Sequence, residues 1–255
     1  MMIDLNSDLG EGFGRWKSGE DEALMPLISS ANVACGYHAG DAAIMTRTVE
    51  MAKAHGVDVG AHVGLPDKLG FGRVAMDIDP RELAKHALYQ LGALYAIAKA
   101  QGVRVVHAGG HGAMDAMSRK NPAYNERMME VFAAFDKDLI IRAMPNGNKA
   151  AFAKSLGLRT IGLIFADRAY DDDGNLVNRA IPNSVITDEE VVVQRVSQFM
   201  HDSTITAMSG KIIKFDAKSI LVHSDTPGAV QIAQAVRRTV EAGGGKVVPA
   251  SRMLD

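Results

Sequence analysis

A (β/α) barrel is the fold class the sequence predicts, and three observations predict it. Short apolar segments alternate with helix-periodic segments about seven times along the 255 residues. Such alternation implies a parallel sheet with crossover helices. Polar and charged residues cluster after the strands and seldom after the helices, as in barrels whose active sites sit at the C-terminal ends of their strands. The length fits one α/β barrel, no Pro-, Gly- or Ser-rich linker divides the chain, and residues 1–255 are expected to form a single domain. An open doubly wound sheet is the alternative. It gathers ligands at one switch point, whereas here nearly every strand end carries chemistry.

The first strand is marked by Ile3 and Leu5 alternating with Asp4 and Asn6. It runs into a glycine-rich loop, Gly10 to Gly14, that holds Glu11, with Asp8 at the strand end. Residues 20–30 read as a short helix, with Ala23, Leu24, Leu27 and Ile28 on one face. Residues 31–35 form an apolar strand leading to Gly36-Tyr37-His38-Ala39-Gly40-Asp41. A helix over 42–54 carries Ile44, Met45, Thr48, Val49 and Ala52 at helical spacing and stops at Gly56. Residues 57–61 form a strand ending at His62, and a loop over 65–77 holds Gly70-Phe71-Gly72-Arg73. Asp79-Pro80-Arg81-Glu82 is a helix start, with a cap, a first-turn proline and an acid at the reciprocal position. That helix runs to Gly102.

A strand over 103–106 delivers His107 and His111, a helix covers 123–135, a strand 139–143, a helix 146–156 and a strand 158–165, which ends in Asp167 and Arg168. Asp172-Asp173-Gly174-Asn175 then reads as a hairpin turn between two short polar strands. Thr187-Asp188-Glu189-Glu190 is a capping box opening a helix to Met200, and residues 205–215 form a second hairpin turning at Ser209-Gly210. A core strand over 219–222 delivers His223 and Asp225, and Thr226-Pro227 starts a last helix that ends at Gly243. Residues 246–249 are a further short strand.

Composition bounds the function classes. Hydrophobic residues make up 47%, enough for a sizeable core, and the net charge is −2 with no basic stripe, which argues against nucleic acid as a partner. The lone cysteine, Cys35, excludes an internal disulfide and suits a reducing compartment. It reads as a small buried thiol rather than a nucleophile. No leader pattern opens the chain, and no apolar run approaches the roughly 18 residues of a membrane span. A cytoplasmic protein with no membrane contact is expected.

The strand ends present Asn6, Asp8 and Glu11; His38 and Asp41; His62; Arg73; His107 and His111; Asp167 and Arg168; and His223, Asp225 and Thr226. Five of the eight histidines fall in this layer, while His55, His86 and His201 lie on predicted helices. Two chemistries suit the set. One is a divalent metal held by Asp8, His38 and His62 or a similar trio, activating water. The other is metal-free acid–base catalysis, with a carboxylate as base and a histidine as acid or oxyanion stabiliser. Asp8, Glu11, His38, His62 and His111 are the catalytic candidates. Arg73 and Arg168 either grip a substrate carboxylate or form salt bridges. Asp225-Thr226-Pro227-Gly228 offers backbone amides to an anion, or simply caps its helix. Neither a Walker loop nor a dinucleotide fingerprint is present.

Several blocks together carry a resemblance. They are Asp4 to Gly12, Ala31 to Asp41, Gly60-Ala61-His62, Gly70 to Arg73, Tyr89 to Leu94, Phe165 to Tyr170, and His223 to Ala229. On these the chain resembles the LamB/YcsF family, also called the family of 5-oxoprolinase A subunits, over residues 2–244. The resemblance implies a distorted seven-stranded (β/α) barrel similar to the glycoside hydrolase/deacetylase superfamily. It also implies ATP-dependent opening of 5-oxoproline (pyroglutamate) to glutamate, or of a related cyclic amide, alongside two partner subunits, with ATP bound without a Walker loop. The chain departs from the family pattern at Gly109 and Asp115, where the family carries lysine and tyrosine, and at Ser7 and Val63, where it carries cysteine and proline. A metal-dependent hydrolase or deacetylase of a carbohydrate-like amide and a non-catalytic paralogue are the alternatives.

Overall fold

The structure, a computed structural model, describes residues 1–253. In chain order it contains β1 (Met2–Leu9), α1 (Asp21–Leu24), a 3-10 turn (Met25–Leu27), β2 (Ser30–Ala34), α2 (Ala42–His55), β3 (Asp58–Val63) and α3 (Pro80–Ala100). There follow β4 (Val105–Gly110), α4 (Gly112–Lys120), α5 (Pro122–Phe135), β5 (Ile140–Ala143), α6 (Lys149–Ser155), β6 (Arg159–Phe165) and α7 (Glu189–Asp202). The chain continues with β7 (Thr204–Thr206), β8 (Ile212–Lys214), β9 (Ser219–Val222), α8 (Ala229–Ala242), β10 (Lys246–Val247) and a 3-10 turn (Ala250–Met253).

Seven strands pair in parallel in the order β1-β2-β3-β4-β5-β6-β9, and β9 pairs back onto β1, closing the barrel. β10 adds to the start of β1, and β7–β8 is a separate antiparallel hairpin within the last crossover. No described helix is long and apolar enough to cross a membrane.

The barrel interior explains β1. All of β1 from Ile3 onward is buried, polar and apolar residues alike. Ile3, Leu5 and Leu9 join the main core, while Asp4, Asn6 and Asp8 enter hydrogen bonds inside the barrel. Their register neighbours are Ser219 beside Asp4, Ser30 beside Asn6, and Asn32 beside Asp8. Asn32 in turn sits beside Gly60, Gly60 beside His107, and His62 beside Gly109. A Cβ on Gly60 would stand 1.9 Å from the His107 ring, so only glycine leaves that ring its place.

Several expectations need correcting. The helix over 20–30 shrinks to the single turn of α1 and a 3-10 turn, because Pro26 has no N–H to extend it. The strand expected over 103–106 runs on to Gly110, so His107 lies within β4, buried, rather than after it. A further helix, α4, follows at once; its Met114, Met117 and Ser118 are buried at helical spacing. The turn at Asp172–Asn175 forms, but only isolated bridges, Tyr170–Leu176 and Arg168–Val185, stand where paired strands were expected. α7 is capped by Asp188, whose carboxylate accepts from the Glu190 and Val191 amides, instead of by Thr187. α8 starts at Ala229, not Thr226, whose hydroxyl is committed elsewhere.

Candidate functional site

The end of β3 and the loops after β1, β2 and β4 bring His62, Glu11, His38 and His111 together, with one ligand atom of each within 4.8 Å of all the others. Gly10 makes this possible for Glu11: its φ of 70° is a left-handed turn that carries the chain back over the strand end. His38 is seated against Gly64, where a Cβ would stand 2.3 Å from its Nδ1. Gly64 is itself clamped by Gln90 of α3, which accepts from its amide and donates to its carbonyl, both at 2.9 Å. His38 and His111 stack face to face, with centroids 3.8 Å apart.

The proton positions follow from the partners. His111 Nε2 lies 2.9 Å from the Phe71 carbonyl, which can only accept, so Nε2 carries the hydrogen. Its Nδ1 then presents a lone pair 3.0 Å from His62 Nε2 and 3.3 Å from Glu11 Oε1. Burial, followed by the His62 charge, drives the His111 pKa down to about 3. That lone pair disfavours charge on Glu11, whose Oε1 also lies 3.2 Å from His38 Nε2, which can donate to it. Burial, then the charges of Asp8 and Asp225, push the Glu11 pKa well above the ordinary carboxyl value. His38 is pushed the other way by burial and by its histidine neighbours, and its Nδ1 has no hydrogen-bond partner.

Asp8 stands beside this cluster, its Oδ2 3.5 Å from His62 Nε2 and its Oδ1 accepting from Asn32 Nδ2 at 2.9 Å. Burial opposes its ionisation, but His62, His223 and His111 outweigh it and hold the carboxyl below its ordinary range. Two carboxyls three residues apart in sequence are thus pushed in opposite directions. Of the trio expected to hold a metal, His38 and His62 belong to the four-membered cluster, with Glu11 and His111 completing it and Asp8 alongside. One carboxylate and three imidazoles form a donor set that suits zinc or a similar divalent ion, and their convergence within 4.8 Å fits a cation there.

A second pair lies across the mouth. His223 Nδ1 is 3.0 Å from both oxygens of the fully buried Asp167, which also accepts from the His223 amide and, at 2.6 Å, from Thr226 Oγ1. Asp167 therefore fixes the Nδ1–H tautomer and leaves Nε2 free. Burial disfavours the Asp167 charge, yet His223 and Thr226 more than offset this, and its pKa is lowered.

Other expected site residues are placed elsewhere. Asn6 donates to Ser219 Oγ and the Ile220 carbonyl and accepts from Asn32, deep in the barrel. Asp41 caps α2 and binds the Gly14 amide. Arg168 donates to the Ser184 and Val177 carbonyls, pinning the segment that follows β6, and burial lowers its pKa to about 10. Arg73 reaches Asp225 at 2.5 Å. Cys35 is buried and its thiol is pushed up to about 12 by burial, which removes it as a nucleophile.

The sequence reading missed the support beneath the cluster. Asn32 Oδ1 accepts from His107 Nε2 (2.9 Å) and Arg142 Nη1 (3.0 Å), so its amide must turn toward Asp8 and Asn6. Arg142 also pairs with buried Asp4 through Nε at 3.0 Å. Asn32 stands inside the block Ala31 to Asp41, and only its polarity within an otherwise apolar strand was available as a signal.

The profile of the LamB/YcsF family matches residues 3–255. The chain belongs to the LamB/YcsF family. Among relatives, a 5-oxoprolinase A subunit of Bradyrhizobium diazoefficiens is 50% identical over 255 residues, covering 100% of both chains. The crystal structure of a lactam utilization protein from Thermus thermophilus matches with a TM-score of 0.91 at 37% identity, over 97% of this chain and 99% of that one. A family 4 carbohydrate esterase from Streptomyces lividans shares the fold alone, with a TM-score of 0.50 and 12% identity over 99% of this chain and 94% of that one. At two of the four departures from the family pattern, Gly109 leaves open space where a side chain would project, and Asp115 pairs with Lys149 of α6 at 2.9 Å.

Proposed function

We propose that this LamB/YcsF chain is the barrel component of a 5-oxoprolinase-type complex that opens 5-oxoproline, or a closely related cyclic amide, to its amino acid with ATP. The observation that carries the reading is the convergence of Glu11, His38, His62 and His111 in one barrel mouth, with the Asp8 carboxylate 3.5 Å from His62. Relatives across the full chain length are named as the A subunit of 5-oxoprolinase. The word subunit supports a complex, and two partner subunits complete it in this reading.

An unstrained lactam is a poor electrophile. Transfer of the ATP γ-phosphoryl group to the lactam oxygen, with release of ADP, turns that oxygen into a leaving group. Asp8 takes a proton from water as it adds to the ring carbonyl carbon. Glu11, protonated, donates a hydrogen bond to the oxygen that gathers charge. The ring C–N bond breaks, and the nitrogen takes a proton from Nε2 of His223 in its doubly protonated form, whose Nδ1–H Asp167 holds. The acyl phosphate that remains is hydrolysed by a second water to the free carboxylate and inorganic phosphate. Arg73 holds the substrate carboxylate. A deprotonated Glu11 with His38, His62 and His111 would instead hold a divalent ion, which when bound would take the place of the Glu11 hydrogen bond and polarise the carbonyl as a Lewis acid.

Glutamate formation from 5-oxoproline tests the proposal. With partner subunits and ATP, wild type is expected to turn over, and Asp8→Asn to be slower by roughly 100-fold or more. Unchanged turnover in Asp8→Asn removes Asp8 as base. The His/Glu cluster also favours a second reading, a metal-dependent hydrolase of a carbohydrate-like amide acting alone. Chelator-sensitive turnover of such an amide without ATP or partners would select it.

A further inference from the structure

Two guanidinium groups from different loops converge on one carboxylate at the mouth. Arg73, after β3, places Nη2 2.5 Å from Asp225 Oδ2, and Arg179, between β6 and α7, places Nη2 3.7 Å from Asp225 Oδ1. The longer distance exceeds a hydrogen bond, and Asp225 Oδ1 is buried with no donor upon it. Arg179 is therefore poised near the carboxylate without being bound to it. The Arg73 and Arg179 side chains remain 33% and 26% exposed, so each is open to a ligand. Two arginines and one aspartate leave the group with a single net positive charge.

The group is tied to the cluster. The Arg73 guanidinium lies 4.8 Å from the centre of the Phe71 ring, and that ring stands edge-on to His111 at 5.2 Å and to His38 at 5.8 Å. Arg168, the neighbouring arginine, is spent on backbone carbonyls and contributes no donor here.

We infer that Arg73 and Arg179 form a two-pronged seat for a substrate carboxylate, with Asp225 as the internal carboxylate that occupies it until substrate displaces it. The ligand class is a small monoanionic carboxylic acid. One added negative charge neutralises the group, whereas a phosphate dianion would leave it net negative beside Asp225. The lactam identity of the ligand rests on the function proposed above; the seat itself does not.

Side-chain Nε–Hε resonances of Arg73 and Arg179 in the full chain, titrated with acetate and with inorganic phosphate, read the seat directly. Acetate is expected to move both resonances, and phosphate to move them less. Calorimetry then compares 5-oxoproline with 2-pyrrolidinone, the same ring without the carboxylate. Arg179→Met is expected to weaken 5-oxoproline binding by on the order of 10- to 100-fold while leaving 2-pyrrolidinone unchanged, and Arg179→Lys to restore part of the loss. Resonances unmoved by acetate, or equal weakening of both ring ligands in Arg179→Met, would overturn the seat. A stronger response to phosphate would overturn its assignment to carboxylates. If wild type binds neither ring while acetate still moves both arginines, the lactam reading fails and the seat stands.

Discussion

Asp167 shows how a single buried carboxylate can organise chemistry. It has no exposure to solvent, yet it accepts from the His223 ring, the His223 amide and Thr226. These donors hold its pKa below the unfolded value of about 3.9. A group depressed in the folded state stabilises fully above its unfolded pKa and loses that contribution as the pH falls through its folded value. Asp167→Asn should therefore cost roughly 1–3 kcal/mol at neutral pH, and the gap to wild type should narrow below about pH 4. Urea unfolding at pH 7 and pH 3 checks this; an equal gap at both pH values would refute the ionic role. At this scale the sequence was readable in part. Asp8, Glu11, His38, His62 and His111 were found because each stands at or just past the end of a strand. That Glu11 rather than Asp8 joins the histidines was not legible, because the Gly10 turn decides it in three dimensions. Arg168 was singled out as a strand-end cation and Arg179 was not, and only the fold assigns the first to backbone carbonyls and sets the second at the mouth.

Among the elements, the strands that build the mouth were the most legible and the crossover segments the least. β9 matches its expected range, residues 219–222, because its apolar run ends abruptly at His223 and Asp225. α4 went unread because His111, Gly112 and Asp115 looked like continuing loop, and the burial of Met114 and Met117 that makes it a helix is tertiary. The pairing of β3 with β4 depends on Gly60, whose missing side chain admits the His107 ring. Gly60→Ala should displace that ring and destabilise the protein by about 1–3 kcal/mol. Because His107 holds the Asn32 carbonyl, the same change should also loosen the amide that Asn32 gives Asp8. Thermal unfolding measures the first effect, and an unchanged melting temperature would show that β3 and β4 accommodate the methyl group without cost.

In the whole molecule, the closed barrel turns polar residues inward from β1, β2, β4 and β5 and makes them support one another. Asp4, Asn6, Asn32, His107 and Arg142 form a connected network beneath the cluster. A half-satisfied network of this kind would be worse than an apolar core, and this one delivers its last donor to Asp8. The sequence announced the barrel through alternation and strand-end chemistry. It did not announce a polar interior, since an inward-facing Asp4 or Arg142 looks like any strand residue facing water. This interior and the mouth above it push two neighbouring carboxyls in opposite directions, and the acid–base roles proposed for Asp8 and Glu11 depend on that division. Carboxyl 13C NMR of Asp8 and Glu11 in the metal-free protein, followed with pH, tests it most directly. Two separate titrations are expected, Asp8 below the ordinary carboxyl range and Glu11 well above it, with Glu11 losing its proton when zinc is added. Both carboxyls titrating together near their ordinary values would contradict it.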